Sequence, residues 1–142
     1  VVAVAFKGFQ RLHGTLRKLS EVPSQAAADA AVRIADVFDG QFADGVDPYG
    51  KQWAALKPYT LAKGRFPPPL TDTGAMRDSI EVKPTPGAGI EVTMGVDYAT
   101  FHQTGTRDMA QRQIMPQSGG LPASWSSAIA DAVREATRKA VG

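Results

Sequence analysis

The sequence predicts an α+β domain, a small antiparallel β-sheet packed by helices, with long ordered loops or arms. Three observations predict it. Ile90, Val92, Met94 and Val96 alternate with Glu91, Thr93, Gly95 and Asp97, the period-two pattern of a strand with one buried face. Residues 24–39 and 122–141 carry apolar side chains at helical spacing. Between them lie stretches rich in proline and glycine, too long for simple turns, which hold large aromatics that a disordered linker lacks.

The elements follow in order. Residues 1–22 read as an N-terminal helix, strongest from Val4 to Leu19, with Phe9, Leu12, Leu16 and Leu19 on one face and Lys7, Arg11 and Lys18 elsewhere. Pro23 breaks it, and Ser24 is placed to cap the next helix, Gln25 to Phe38, because its hydroxyl can accept from the free amides of a first turn. Ala27, Ala30, Ala31, Ile34, Val37 and Phe38 form its apolar side, Asp29 and Arg33 are spaced to pair, and Gly40 is expected to end it. Residues 43–70 then form a long loop or arm. Asp44-Gly45 and Asp47-Pro48-Tyr49-Gly50 are turn chemistry, Trp53 pins the loop, and Pro67-Pro68-Pro69 forces an extended run. One helical turn, capped by Thr71, Asp72 or Thr73, is expected over Thr71–Arg77. Ser79 to Lys83 is a strand joined through Pro84–Gly89 to Ile90–Val96 as a hairpin, with Ile80 and Val82 facing inward. The segment from Tyr98 to Gly105 reads as a working loop at the end of that strand. A further strand is expected from within 98–116. Thr106 to Gly120 reads as loop, ending at Gly119-Gly120. Pro122 opens the last helix, whose Trp125 stripe is expected to pack on the hairpin.

The 142 residues suit a single domain. With no cysteine there is neither disulfide nor thiolate chemistry. No apolar run approaches the length of a membrane span, and Val1 to Phe6 is too short for a signal core. A net charge of +2 is small for a dedicated nucleic-acid binder. Catalysis finds little support. The two histidines, His13 and His102, are far apart, and no metal-ligand or phosphate-binding spacing is present. No cofactor or metal site is assigned.

The residues that stand out are suited to gripping a surface. Trp53, Tyr59, Tyr98, Phe101, His102, Gln103, Arg107 and Arg112 are the candidate protein-interface residues. Three of them also have a plainer reading. Trp53 fastens a loop, Phe101 fills a core, and His102 packs beside Tyr98 and hydrogen-bonds a loop carbonyl. Lys51, Lys57, Lys63 and Arg65 are candidate DNA contacts, against a plainer reading as a solvated loop face. The alternatives in function are thus a basic nucleic-acid-contacting module and a hydrolase centred on His102 with Asp97.

Gly45-Val46-Asp47-Pro48-Tyr49-Gly50-Lys51-Gln52-Trp53-Ala54-Ala55-Leu56 resembles the "G-x-D-x-x-G-x-x-W-x-x-L" stretch of the phage virion morphogenesis family, the tail-completion proteins of Mu-like and P2-like tailed bacteriophages. Leu70-Thr71-Asp72-Thr73-Gly74-Ala75-Met76-Arg77-Asp78-Ser79-Ile80 resembles its "L-x-x-T-G-x-L-R-x-S-I", and Tyr98-Ala99-Thr100-Phe101-His102-Gln103-Thr104-Gly105 its "Y-A-x-x-H-Q-x-G". The three stand in the family's order. One departure is the family's "R-P-F" signature, whose place here reads Arg112-Gln113-Ile114-Met115-Pro116. The resemblance implies a structural virion protein of the neck or tail end, made in the host cytoplasm and assembling as a homo-oligomeric ring, commonly of six copies. Its implied partners are its own copies, a head-side connector or adaptor, and tail-terminator or tail-tube proteins, with DNA passing through the channel and no membrane.

Overall fold

The structure is a computed structural model that describes residues 2–117 and 120–142, with side chains from residue 11 onward. Gly119 and the side chains of Lys7 and Phe9 lie outside the described residues. The order of elements is α1 (Val2–Ser20), α2 (Val22–Asp44), α3 (Pro58–Ala62), α4 (Ala75–Asp78), β1 (Ile80–Thr85), β2 (Gly89–Met94), α5 (Ala99–Thr104) and α6 (Ala123–Val141). This is an α+β architecture, built from helices and a two-stranded antiparallel sheet.

The α2 helix is the spine. Ala26, Ala27, Ala30 and Ala31 on α2, and Ala128, Ala132 and Ala136 on α6, are all buried, and α6 makes its main packing against α2. Small side chains let the two backbones approach closely, and adding volume at a site such as Ala132 costs about 1–3 kcal/mol. Trp125 packs edge-on against Phe38 of α2, ring centroids 5.5 Å apart. It therefore anchors α6 chiefly to the spine, within the core cluster that the hairpin residues also join. The hairpin pairs Ile80 with Met94, Val82 with Val92 and Pro84 with Ile90. Ile80, Val82, Ile90, Val92 and Met94 join the core that Ile34, Phe38 and Phe42 form, so α2 is packed by α6 and by the sheet.

Several boundaries differ from expectation for physical reasons. Only Glu21 separates α1 from α2, and its angles are helical (φ −83°, ψ −15°), with no side-chain cap. Pro23 sits in the first turn of α2, where its missing N–H is no loss, so Ser24 lies inside the helix and caps nothing. Gly40 does not stop α2. A mid-helix glycine costs about 1 kcal/mol, while burying an aromatic such as Phe42 on the following turn returns about 1.5–3 kcal/mol. The helix ends at Gly45, which adopts the left-handed region (φ 68°) and donates its amide to the Gln41 carbonyl. A Cβ at Gly45 would stand 3.0 Å from the Pro68 side chain, so both backbone and packing require glycine there.

The expected turn over Thr71–Arg77 is shifted to Ala75–Asp78, entered through Gly74, and Thr73, one of the three expected caps, accepts from the Ala75 amide through its hydroxyl at 3.3 Å. Asp72 pairs instead with Arg65 at 2.9 Å, and the Thr71 hydroxyl donates to the Pro68 carbonyl. The Pro67–Pro68 bond is cis. Asp29 and Arg33 form the anticipated pair at 2.9 Å. Among the described residues, 98–116 contributes no third strand. It supplies α5 and an extended segment whose partners are side chains.

Candidate functional site

Within the segment expected to be a loop, Tyr98–Gly105, residues Ala99–Thr104 form a short helix. The Ala99 methyl is buried under it. It closes at Gly105, whose φ of 73° and ψ of 168° form a region essentially reserved for glycine. A Cβ there would lie 3.0 Å from the Gln111 amide nitrogen. The chain can thus turn back tightly and run alongside α5.

Gln103 holds the returning segment. Its Oε1 accepts from the amides of Ile114 (2.8 Å) and Met115 (2.9 Å), and its Nε2 donates to the Met115 carbonyl (2.9 Å). A primary amide can do all of this at once, so one side chain replaces the missing partner strand. The Gln111 amide donates to the Gln103 carbonyl and the Arg112 N–H to that of His102. Ile114 is then fully buried, and Gln41 of α2 donates to its carbonyl at 2.9 Å.

The long arm is tied to the same segment. Asp47 Oδ1 accepts from the amides of Tyr49 and Lys51, both at 2.9 Å, and folds the turn. Trp53 is buried, its ring edge-on to Phe42 at 5.2 Å and its Nε1 donating to the Gln113 carbonyl at 2.8 Å. Arg112 reaches back with Nε to the Ala54 carbonyl (2.8 Å) and with a terminal nitrogen to that of Ala55 (3.0 Å). Burial pushes this guanidinium below its ordinary range, yet it stays charged. Its planar fork explains why arginine serves here. Tyr49 closes the outer end, its hydroxyl donating to the Gly120 carbonyl (2.9 Å) and accepting from the Gln117 amide (3.2 Å).

These ties leave a groove of about 620 Å³ between the arm and α5. Leu56, Phe66 and Leu70 come from the arm side, Met76 from α4, and Tyr98, Phe101, His102 and Met109 from the strand-end side. Phe66 is 75% exposed and Phe101 55% exposed, so the mouth presents aromatic surface to solvent. His102 stands edge-on to Tyr98, centroids 6.2 Å apart. The expected carbonyl hydrogen bond is absent from its Nδ1, which is buried without a partner. Burial first, and the charge of Arg112 second, hold the imidazole below the usual histidine range. The carboxylate on Nδ1 that a hydrolytic triad uses is therefore not formed.

The groove brings together Tyr98, Phe101, His102 and Arg112 with Lys57 and Arg65. Trp53 and Gln103 stand behind it as internal ties. Together with Arg112 they make hydrogen bonds within the chain. Tyr59 and Arg107 are exposed outside it. The cations are mostly engaged. Lys57 donates to the Asp108 carbonyl (3.1 Å), Arg65 pairs with Asp72, and Lys63 lies 4.3 Å over the Tyr59 ring, while Lys51 stays exposed on the Asp47 turn. Gln41, Phe66 and Met109 escaped the sequence reading, and Tyr49 and Leu56 entered it only as turn and loop-anchor residues. Phe66 before three prolines was a signal for an exposed aromatic, whereas nothing local marked Gln41.

Among the described residues no group of acidic and histidine side chains is arranged to hold a metal, and no helix is long and apolar enough to cross a membrane. No family model, curated protein or solved structure matches the chain.

Proposed function

We propose that this chain is a structural virion protein of a tailed bacteriophage, acting at the head–tail joint as a tail-completion or connector protein and assembling as a ring. One observation carries the reading. The three short stretches that resemble the tail-completion family, far apart in sequence, build one feature: the Gly45–Leu56 turn and anchor, the Leu70–Ile80 wall, and the α5 side with its clamp. Their polar side chains are largely spent on backbone ties. What the feature leaves outward is aromatic and apolar, as suits adhesion to another protein surface.

The test is electron microscopy of virions carrying a labelled copy, with a strain lacking the gene beside it. Label at the neck or tail end, and separate heads and tails in the deletion strain, are expected. Label absent from both places, with normal particles in the deletion strain, overturns the proposal. No observation favours the nucleic-acid module, because Lys57, Lys63 and Arg65 already have partners within the chain.

A further inference from the structure

We infer that the free chain pairs with a second copy through the outer edge of β2, antiparallel and centred on Val92, to give a four-stranded sheet in the order β1-β2-β2-β1. The inference goes beyond the function proposed above and does not depend on it.

Among the described residues the hairpin is a two-stranded sheet, so each strand has an outer edge. The ladder settles which backbone groups point outward. The Gly95 amide donates to the Ser79 carbonyl directly opposite, and opposed residues alternate between bonded and non-bonded pairs. Glu81 with Thr93 and Lys83 with Glu91 are therefore bonded pairs. Ile80 with Met94, Val82 with Val92 and Pro84 with Ile90 turn their backbone groups away from each other. The outer edge of β1 thus carries Pro84 where a donor would stand, and proline blunts an edge. The outer edge of β2 carries the N–H and C=O groups of Ile90, Val92 and Met94 with no proline among them. No backbone hydrogen bond from outside the hairpin reaches these groups among the described residues.

The partner that this edge fits is its own copy. Ile90-Glu91-Val92-Thr93-Met94 alternates apolar and polar residues symmetrically about Val92. Turned about a two-fold axis at Val92, the outward groups of Val92 meet those of Val92 and those of Ile90 meet those of Met94, so each finds a partner. Opposed residues share a face. Ile90, Val92 and Met94, half-buried at the rim of the core, then continue one apolar row across both copies. On the solvent face Glu91 stands opposite Thr93 of the second copy. The two Glu91 carboxylates are diagonal neighbours, about 7–8 Å apart at the backbone, and each already stands opposite Lys83 of its own chain. Like charges therefore do not meet head-on.

The helices leave room for the pairing. α2 lies chiefly over β1 and less over β2. In the joined sheet the two β1 strands are three strand spacings apart, about 14 Å. Helices pack at about 8–10 Å, so the two copies of α2 lie on one face without collision. A two-fold contact closes on itself and has no polarity. It belongs to the free chain, where it covers an edge that otherwise templates aggregation.

Sedimentation of the full chain over a concentration series is expected to show a monomer–dimer equilibrium. In the dimer, deuterium exchange of the Ile90, Val92 and Met94 amides is expected to slow by roughly tenfold or more, while that of Val82 on the other edge stays unchanged. The chain has no cysteine, so introduced ones report the register. Glu91→Cys and Thr93→Cys chains, both altered at exposed positions, are mixed and oxidised. The mixed disulfide is expected to exceed either homodimer by roughly tenfold, because a disulfide needs Cα atoms about 4.4–6.8 Å apart and only directly opposed residues meet that. Val92→Pro removes the central outward donor and no ladder bond. Thr93→Glu sets like charges head-on, twice in a two-fold contact. Each is expected to weaken association by roughly tenfold with far-ultraviolet dichroism unchanged, and Thr93→Glu keeps the test open if the proline variant fails to fold. A chain that stays monomeric at every concentration overturns the inference. So does a dimer with freely exchanging β2 amides, with no excess of the mixed disulfide, or with full strength in Thr93→Glu. None of these outcomes touches the virion reading, which the labelling experiment tests by itself.

Discussion

Gln103 shows how one side chain organises a site. Three hydrogen bonds from its amide hold the backbone of Ile114 and Met115. Gln103→Ala leaves the Ile114 and Met115 amides without partners in a half-buried setting, while the Met115 carbonyl keeps the Gln113 side-chain amide, and the expected loss is about 2–4 kcal/mol of unfolding free energy, read from urea denaturation. His102 has a pH signature. Its folded form is held below the ordinary histidine value, by burial first and Arg112 second. Unfolded chains take up the proton as pH falls through about 6.5, whereas folded chains do so only lower, so stability declines as pH drops across that interval. Comparing urea midpoints at about pH 7.5 and about pH 5.5, the wild-type chain is expected to lose more than His102→Asn. Equal losses in the two chains would contradict the account. Neither role was legible locally: Gln103 and His102 were marked by their company in an aromatic segment, but their partners lie elsewhere in the chain.

At the scale of elements, α2 shows where local signals mislead. Gly40 resembles a stop, yet the helix passes through it because the residues beyond are buried against Trp53 and the returning segment. Gly40 is exposed, and a Cβ there would meet nothing within 4 Å. Gly40→Ala is therefore expected to raise stability by about 0.5–1 kcal/mol through the lost freedom of the unfolded chain, measurable as a higher thermal midpoint. The hairpin was the most legible element, since period-two alternation and proline–glycine turn chemistry are both local, although the expected Pro84–Gly89 turn tightens to residues 86–88, with Pro84 paired to Ile90 and Thr85 to Gly89. The α5 helix was not, because its six residues are too few to show a helical period and isolated helices so short do not persist without tertiary support.

At the scale of the molecule, the arm and the extended segment 106–117 hold each other in place, and neither has regular pairing of its own. Trp53 is the joint, through its ring on Phe42 and its Nε1 on the Gln113 carbonyl. Trp53→Ala is expected to cost about 3–5 kcal/mol. It should also open residues 54–66 to limited proteolysis while the cut fragments keep the helical signal of α2 and α6, whose packing lies elsewhere on the spine. Loss of the helical signal together with the arm would mean that the arm nucleates the core.

The amino-acid sequence by itself determined the α+β class, the three long helices and the presence of the hairpin, because periodicity and turn chemistry act between residues a few positions apart. Only the tertiary structure decided that Gln103 and Arg112 are internal ties, that Ala99–Thr104 is helical, and that Leu56, Phe66 and Phe101 share a groove. Each of those outcomes depends on hydrogen bonds and burial between segments some ten to sixty positions apart, and the free energy of such contacts exists only once the chain has closed around α2.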